Sequence, residues 1–253
     1  MRVVLICFLF VLFPTISCAQ VEVQVKYRPA KNAIEKYIKQ ELKSTATVEL
    51  WQKLINNEFI LPTPLTIVLG SDDGPLFDSE TGKIDIPYFY ISEIKDRFRA
   101  IQYNKKTGLS ELDATMDTLL HTLFHEFAHV LFFMYDLPVT GREEDAADGL
   151  ATLLLIELFE NGQEIVLSAA DQFDLMDQEI KNLDEQDFWD EHSLDAQRYY
   201  TALCHVYGSS PDQYEDLLQN AGMPEEKAEQ CIEEYENLSR SWFALLDPHL
   251  RKI

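Results

Sequence analysis

Cysteine is scarce in this chain, and so is positive charge. Four cysteines occur in 253 residues: Cys7 and Cys18 near the start, Cys204 and Cys231 near the end. No pair has a CxxC or zinc-ribbon spacing, which excludes a metal site built on thiolates. Lysine and arginine number 21 against 44 aspartates and glutamates, a formal net charge of −23. Such a polyanion repels phosphate backbones and acidic lipid surfaces, so nucleic acid and anionic membranes are excluded as partners. Internal repeats, low-complexity linkers and apolar runs long enough to span a bilayer are also missing. What remains is rich in core-forming residues, 46% apolar and 11% aromatic, at a length that suits one large domain.

Residues 1–19 read as a targeting segment. Arg2 provides a positive start, "VVLICFLFVLF" an apolar centre and Pro14 a break, and Ser17-Cys18-Ala19 fits a small-x-small cleavage site. The expectation is a signal peptide over 1–19, a single domain over 20–253, and export to the periplasm or the medium. "TISC" also offers a loose lipobox, so a lipid anchor at Cys18 is the alternative. In an oxidising compartment the two remaining cysteines, Cys204 and Cys231, are expected to form one disulfide. It would close a loop of about 27 residues, worth roughly 3 kcal/mol in the chain-entropy model.

"VEVQVKYR" alternates like a strand, and a helical stretch follows from about Ala30 to Phe59 until Pro62 and Pro64 stop it. "LTIVLG" and "KIDIP" read as further strands separated by turns, "KIDIP" being the candidate edge of a substrate cleft. From Tyr88 onward the pattern is helical, with breaks near Gly108, Pro138–Gly141, Asn161-Gly162, Gly208–Pro211 and Gly222–Pro224. The fold class is α+β: a small N-terminal sheet followed by a mainly helical domain. Nine acids between positions 171 and 191 read as a solvated face and loop.

One helical segment, "TLLHTLFHEFAHVLFFM" (118–134), carries polar groups that an apolar core would not tolerate unpaired. His125 and His129 are four apart and so share a helix face, one turn above the other. Glu126 lies one step round. This HExxH arrangement provides two metal ligands and a carboxylate able to accept a proton from water. A third ligand is needed. Phe132 and Tyr135 stand where the metzincin pattern requires Gly and His, and no HxxEH or GTxxDxxYG segment exists. The remaining source is "GREEDAADGLA" on the next helix. There Glu144 can complete a His125, His129, Glu144 set, with Glu143 as rival, and Asp148 can accept the outer N–H of a ligand histidine, most plausibly His125.

"HEFAH…GREEDAADGLATLL" resembles the zincins whose third ligand is a glutamate, the gluzincin type. The wider pattern, with "LPVTGREEDAADGLATLL", "DEHSLDAQRYYTALCHVYGSSP" and "PEEKAEQCIEEYENLSRSWFALLDPHL", is similar to a bacterial metallopeptidase family still described as a domain of unknown function. The similarity runs from roughly Asp78 to Leu250. Two departures stand out: Phe127 replaces a smaller residue, and "DGPLFDSETG" lacks the Asn-Ala pair found there in relatives. The resemblance implies a zincin-like fold, Zn2+ as cofactor, peptide or protein substrates and a zinc-dependent hydrolase. Its rival is an inactive zinc-stabilised scaffold of the same fold, for which His121 or Glu143 would have to close the ligand shell. His192, with Asp190 or Asp195 orienting it, is the expected donor to the developing oxyanion, Arg198, Tyr199 and Tyr200 being alternatives. His121 shares the helix face of the ligands and is expected behind them or in the cleft.

Overall fold

The alternation in "VEVQVKYR" produces β1 (Gln24–Tyr27), whose side chains are exposed and half-buried in turn. It is the first strand of a computed structural model that describes residues 22–252. The expected signal peptide and the lipidation site at Cys18 lie outside the described residues. Three more strands follow, β2 (Thr66–Leu69), β3 (Leu76–Asp78) and β4 (Lys83–Ile86), in the sheet order β1-β2-β4-β3. β2 runs parallel to both β1 and β4, with Ile67 opposite Ile84, whereas β3 pairs antiparallel with β4. Ile67, Leu69, Ile84 and Ile86 are fully buried, so one face of this sheet belongs to the core.

A parallel pair needs a crossover. Between β1 and β2 it consists of α1 (Ala33–Thr45) and α2 (Thr47–Glu58), two helices where periodicity predicts one. The break is Ala46, left-handed at φ 54°, whose N–H bonds back to the Leu42 carbonyl at 3.1 Å. It sits between β-branched Thr45 and Thr47, whose hydroxyls pair at 3.0 Å across it.

The cleft edge is not the "KIDIP" strand. β4 ("KIDI") has neighbours on both sides, so its ladder groups are already engaged. The edge strand that lines the cleft is β3, a three-residue strand in "PLFD" too short for alternation to reveal, with β1 at the opposite edge.

The rest is helical: α3 (Tyr88–Ala100), α4 (Tyr103–Thr107), α5 (Glu111–Tyr135), α6 (Glu143–Leu158), α7 (Gly162–Glu179), α8 (Asp195–Ser209), α9 (Asp216–Asn220) and α10 (Glu225–Leu246). Among the described residues no helix is long and apolar enough to cross a membrane. The α+β class expected from the pattern is the class observed. α5 is the central helix. Ser110 caps it by accepting the Asp113 N–H at 3.0 Å, and its side chains are buried on every side by α2, α3, α6, α7 and β3. The Trp51 and Phe59 rings meet Phe127 edge-on at 5.5 and 5.0 Å. Phe127, fully buried, therefore fills the core. α5 ends at Tyr135, and the short connection 136–142 returns the chain as α6 along its flank.

Cys204 and Cys231 are bonded, as their count implied, and join α8 to α10. The two helices cross closely at Gly208, where an added Cβ would lie 2.1 Å from the Cys231 carbonyl oxygen.

One core acid makes stability depend on pH. Asp117 of α5 accepts a hydrogen bond from Ser168 Oγ at 2.9 Å, and burial pushes its carboxyl up to about 6. A folded-state value above the unfolded one means the native chain holds the proton longer. The contribution is therefore favourable at low pH and is lost as pH rises from about 4 to about 6. Asp117→Asn keeps an acceptor for Ser168 without the charge. It is expected to raise the melting temperature at pH 7.5 by roughly 5 °C, for about 2 kcal/mol after allowing for solvent screening. Melts between pH 4 and 8 should show that advantage vanish at the acid end; a constant offset would contradict the assignment.

Candidate metal centre

His125 and His129, one turn apart on α5, bring their Nε2 atoms to 3.3 Å from each other. α6 delivers Glu144 from the facing side, its Oε2 3.0 Å from His125 Nε2 and 3.4 Å from His129 Nε2. One donor atom from each of the three residues falls within 4.8 Å of the other two. Glu144 stands in the first turn of α6 with Glu143 and Asp145, where the helix dipole favours carboxylates. The register of α6 on α5 turns this acidic start into a site.

Both imidazoles are held from behind. Asp148 Oδ1 is 2.8 Å from His125 Nδ1, and Glu143 Oε1 is 2.8 Å from His129 Nδ1. A carboxylate on each outer nitrogen fixes the tautomer and leaves both Nε2 atoms facing Glu144. Glu143, the rival for third donor, thus lies behind His129, a position that nothing in its spacing signals. Asp148 is gripped in turn by Arg198 of α8. Nε donates to Oδ2 at 2.7 Å and Nη2 to Oδ1 at 2.9 Å, while the guanidinium covers the Phe173 ring at 4.0 Å. As an alternative oxyanion donor Arg198 is misplaced, because its fork is spent on Asp148.

His192 does reach the cluster. Its Nε2 is 2.9 Å from Glu144 Oε2, and its ring stacks on that of His125 at 5.9 Å. The loop that carries it is pinned to the start of α6: Arg142 donates to the Asp190 carbonyl and to Ser193 Oγ, and Ser193 Oγ donates to Asp145 Oδ1 at 2.6 Å. Asp190 orients the histidine, accepting its backbone N–H at 2.8 Å, whereas Asp195 pairs loosely with Arg198 at 3.8 Å. His121 is buried edge-on to Phe173 at 5.6 Å and lies outside the three-donor group. Burial holds its imidazole down to about 4, hence neutral at pH 7. Tyr200 points to solvent at 59% exposure.

Glu126 lies beside the donors, 6% exposed. Burial raises its carboxyl above the usual range, opposed by His125 and His129 and by a hydrogen bond from the Phe77 backbone amide of β3.

The donor set suits a divalent cation. Burial disfavours charge on His125, but hydrogen bonds to Asp148 and Glu144 outweigh it and carry the imidazole up to about 9. Burial likewise works against ionised Glu144, yet hydrogen bonds from His125, His129 and His192 hold it far below the ordinary carboxylate range. In the chain alone, a proton on His125 offsets part of the buried acidic charge. A cation bound to neutral Nε2 atoms would replace that proton. The cluster opens into a cleft of about 580 Å³ between β3, the end of α5 and the start of α6.

A family model described as "Putative metallopeptidase" matches residues 27–246, nearly all of the described chain. No curated protein and no solved structure matches it.

Proposed function

Because the chain belongs to this metallopeptidase family, we propose that it is an exported zinc-dependent peptidase. In this reading His125, His129 and Glu144 hold the ion and Glu126 is the general base. The observation that carries it is the convergence of three donors within 4.8 Å beside a buried carboxylate that is not one of them. Two imidazoles and one carboxylate are a donor set that zinc favours. When bound, such an ion acidifies a water molecule and polarises a carbonyl oxygen.

The chain's own residues do the rest. Glu126 takes a proton from the attacking water and passes it to the leaving amine nitrogen. Asp148 and Glu143 hold the two imidazoles against rotation. His192, stacked on His125, would turn the Nε2–H that meets Glu144 Oε2 toward the oxygen on which negative charge grows, once Glu144 holds the ion. The disulfide and the leader-like residues 1–19 support export, with residues 20–253 as one domain.

The rival reading, a zinc-stabilised scaffold, draws on His192. Its Nε2 touches the same carboxylate oxygen as the two ligands, and as a fourth ligand it would make the site structural. Digestion of a peptide pool by the purified mature chain separates the two. Cleavage is expected with zinc, abolished by a chelator and restored by adding zinc back. Stoichiometric zinc without cleavage of any peptide would favour the scaffold.

A further inference from the structure

The cleft beside the three donors has two chemically different walls. Where β3 meets the end of α5, Phe77 and Phe133 approach with ring centroids 5.9 Å apart, and Phe133 remains 61% exposed. Leu137 and Val139, in the connection to α6, extend this apolar surface. A large aromatic ring left in water at the mouth of a cleft marks a contact surface. On the side formed by the start of α6 and the loop before α8, the lining carries Glu143 and Glu191. No lysine or arginine lines the cleft among the described residues. Arg142 at the start of α6 and Arg198 behind His125 are engaged, Arg142 on Asp190 and Ser193, Arg198 on Asp148.

We infer that the cleft selects peptide segments carrying a large apolar or aromatic side chain next to a basic one, and that it turns away free C-terminal carboxylates. The inference rests on the peptidase reading and adds the substrate class to it. A free C-terminal carboxylate just beyond the scissile bond would find no lysine or arginine in the lining to receive it, and Glu143 and Glu191 would repel it, which disfavours carboxypeptidase action. A basic side chain meets Glu191 instead, within the field of a chain of net charge −23. Covering Phe133 with an aromatic side chain removes apolar area from both partners.

Peptides in matched sets test this: hexapeptide amides with Phe-Lys, Phe-Glu and Ala-Lys centres, and shortened free acids that end immediately after the same pairs. Two readouts apply to every set, kcat/KM with the zinc-loaded wild type and equilibrium binding to zinc-loaded Glu126→Gln. The Phe-Lys amide is expected to exceed the Phe-Glu and Ala-Lys amides by roughly tenfold each, and free acids close to the centre to be the poorest. Glu191→Lys should erase or invert the Lys-over-Glu preference, and Phe133→Ala the Phe-over-Ala preference. Cleavage without these preferences would overturn the substrate class and leave the peptidase reading standing. Selective binding without cleavage would do the reverse, and neither binding nor cleavage would overturn both.

Discussion

Replacing Glu126 by glutamine is expected to leave zinc binding intact and to cut peptide turnover by about a thousandfold. General-base groups contribute on the order of 10²–10⁴ in rate. Glutamine has nearly the same shape and volume, so the cleft wall that Glu126 shares with Phe77 should keep its place. It has no basic carboxylate, and the proton of the attacking water then lacks an acceptor at this position. Glu126 lies outside the three-donor group, which is why the metal should stay. Stability should not fall either, since burial already works against the ionised carboxyl. The measurement is zinc content and kcat side by side. A variant that keeps more than a tenth of wild-type turnover would remove Glu126 from the role.

Arg198→Ala is expected to produce the largest loss at a distance from the cleft. The substitution strips both donors from Asp148, which is then buried with His125 as its single partner. Breaking a buried charge pair from one side costs about 3–5 kcal/mol, or roughly 10 °C in melting temperature for a chain of this size. Freed to turn, Asp148 would no longer hold His125 in one orientation, and outer carboxylates of this kind are worth about 10–100-fold in metal affinity. Arg198→Lys keeps the charge but not the fork, and should fall between the wild type and Arg198→Ala. Zinc affinity of the folded variants, measured by competition with a chromophoric chelator, distinguishes positioning from mere stability. Weakened folding with unchanged zinc affinity would reduce Arg198 to a structural residue.

Much of the cluster was legible because its parts are local. The four-residue spacings of His125 with His129 and of Glu144 with Asp148 each define a helix face. The six or seven residues between the helices leave little choice but antiparallel packing, and the observed 2.8 Å contact from Asp148 to His125 follows from that. The disulfide was legible from the cysteine count and the expectation of export. What escaped depends on elements far apart in the chain. Arg198 meets Asp148 across 50 positions, only because α8 packs on α6, and no spacing encodes that. Glu143 finds the back of His129 through the same register that aims Glu144 at its front. The break at Ala46 and the edge strand β3 were hidden for a different reason. Each is decided by one to three residues, fewer than a period of either pattern.

The central proposition, that side chains from two adjacent helices gather one zinc ion, is met most directly by a zinc titration of the metal-free mature chain against its Glu144→Ala and His129→Ala variants. One equivalent should bind the wild type tightly, and either variant should lose most of that affinity while remaining folded by circular dichroism. A wild-type chain that takes up no zinc, or variants that bind it as tightly as the parent, would contradict the assignment.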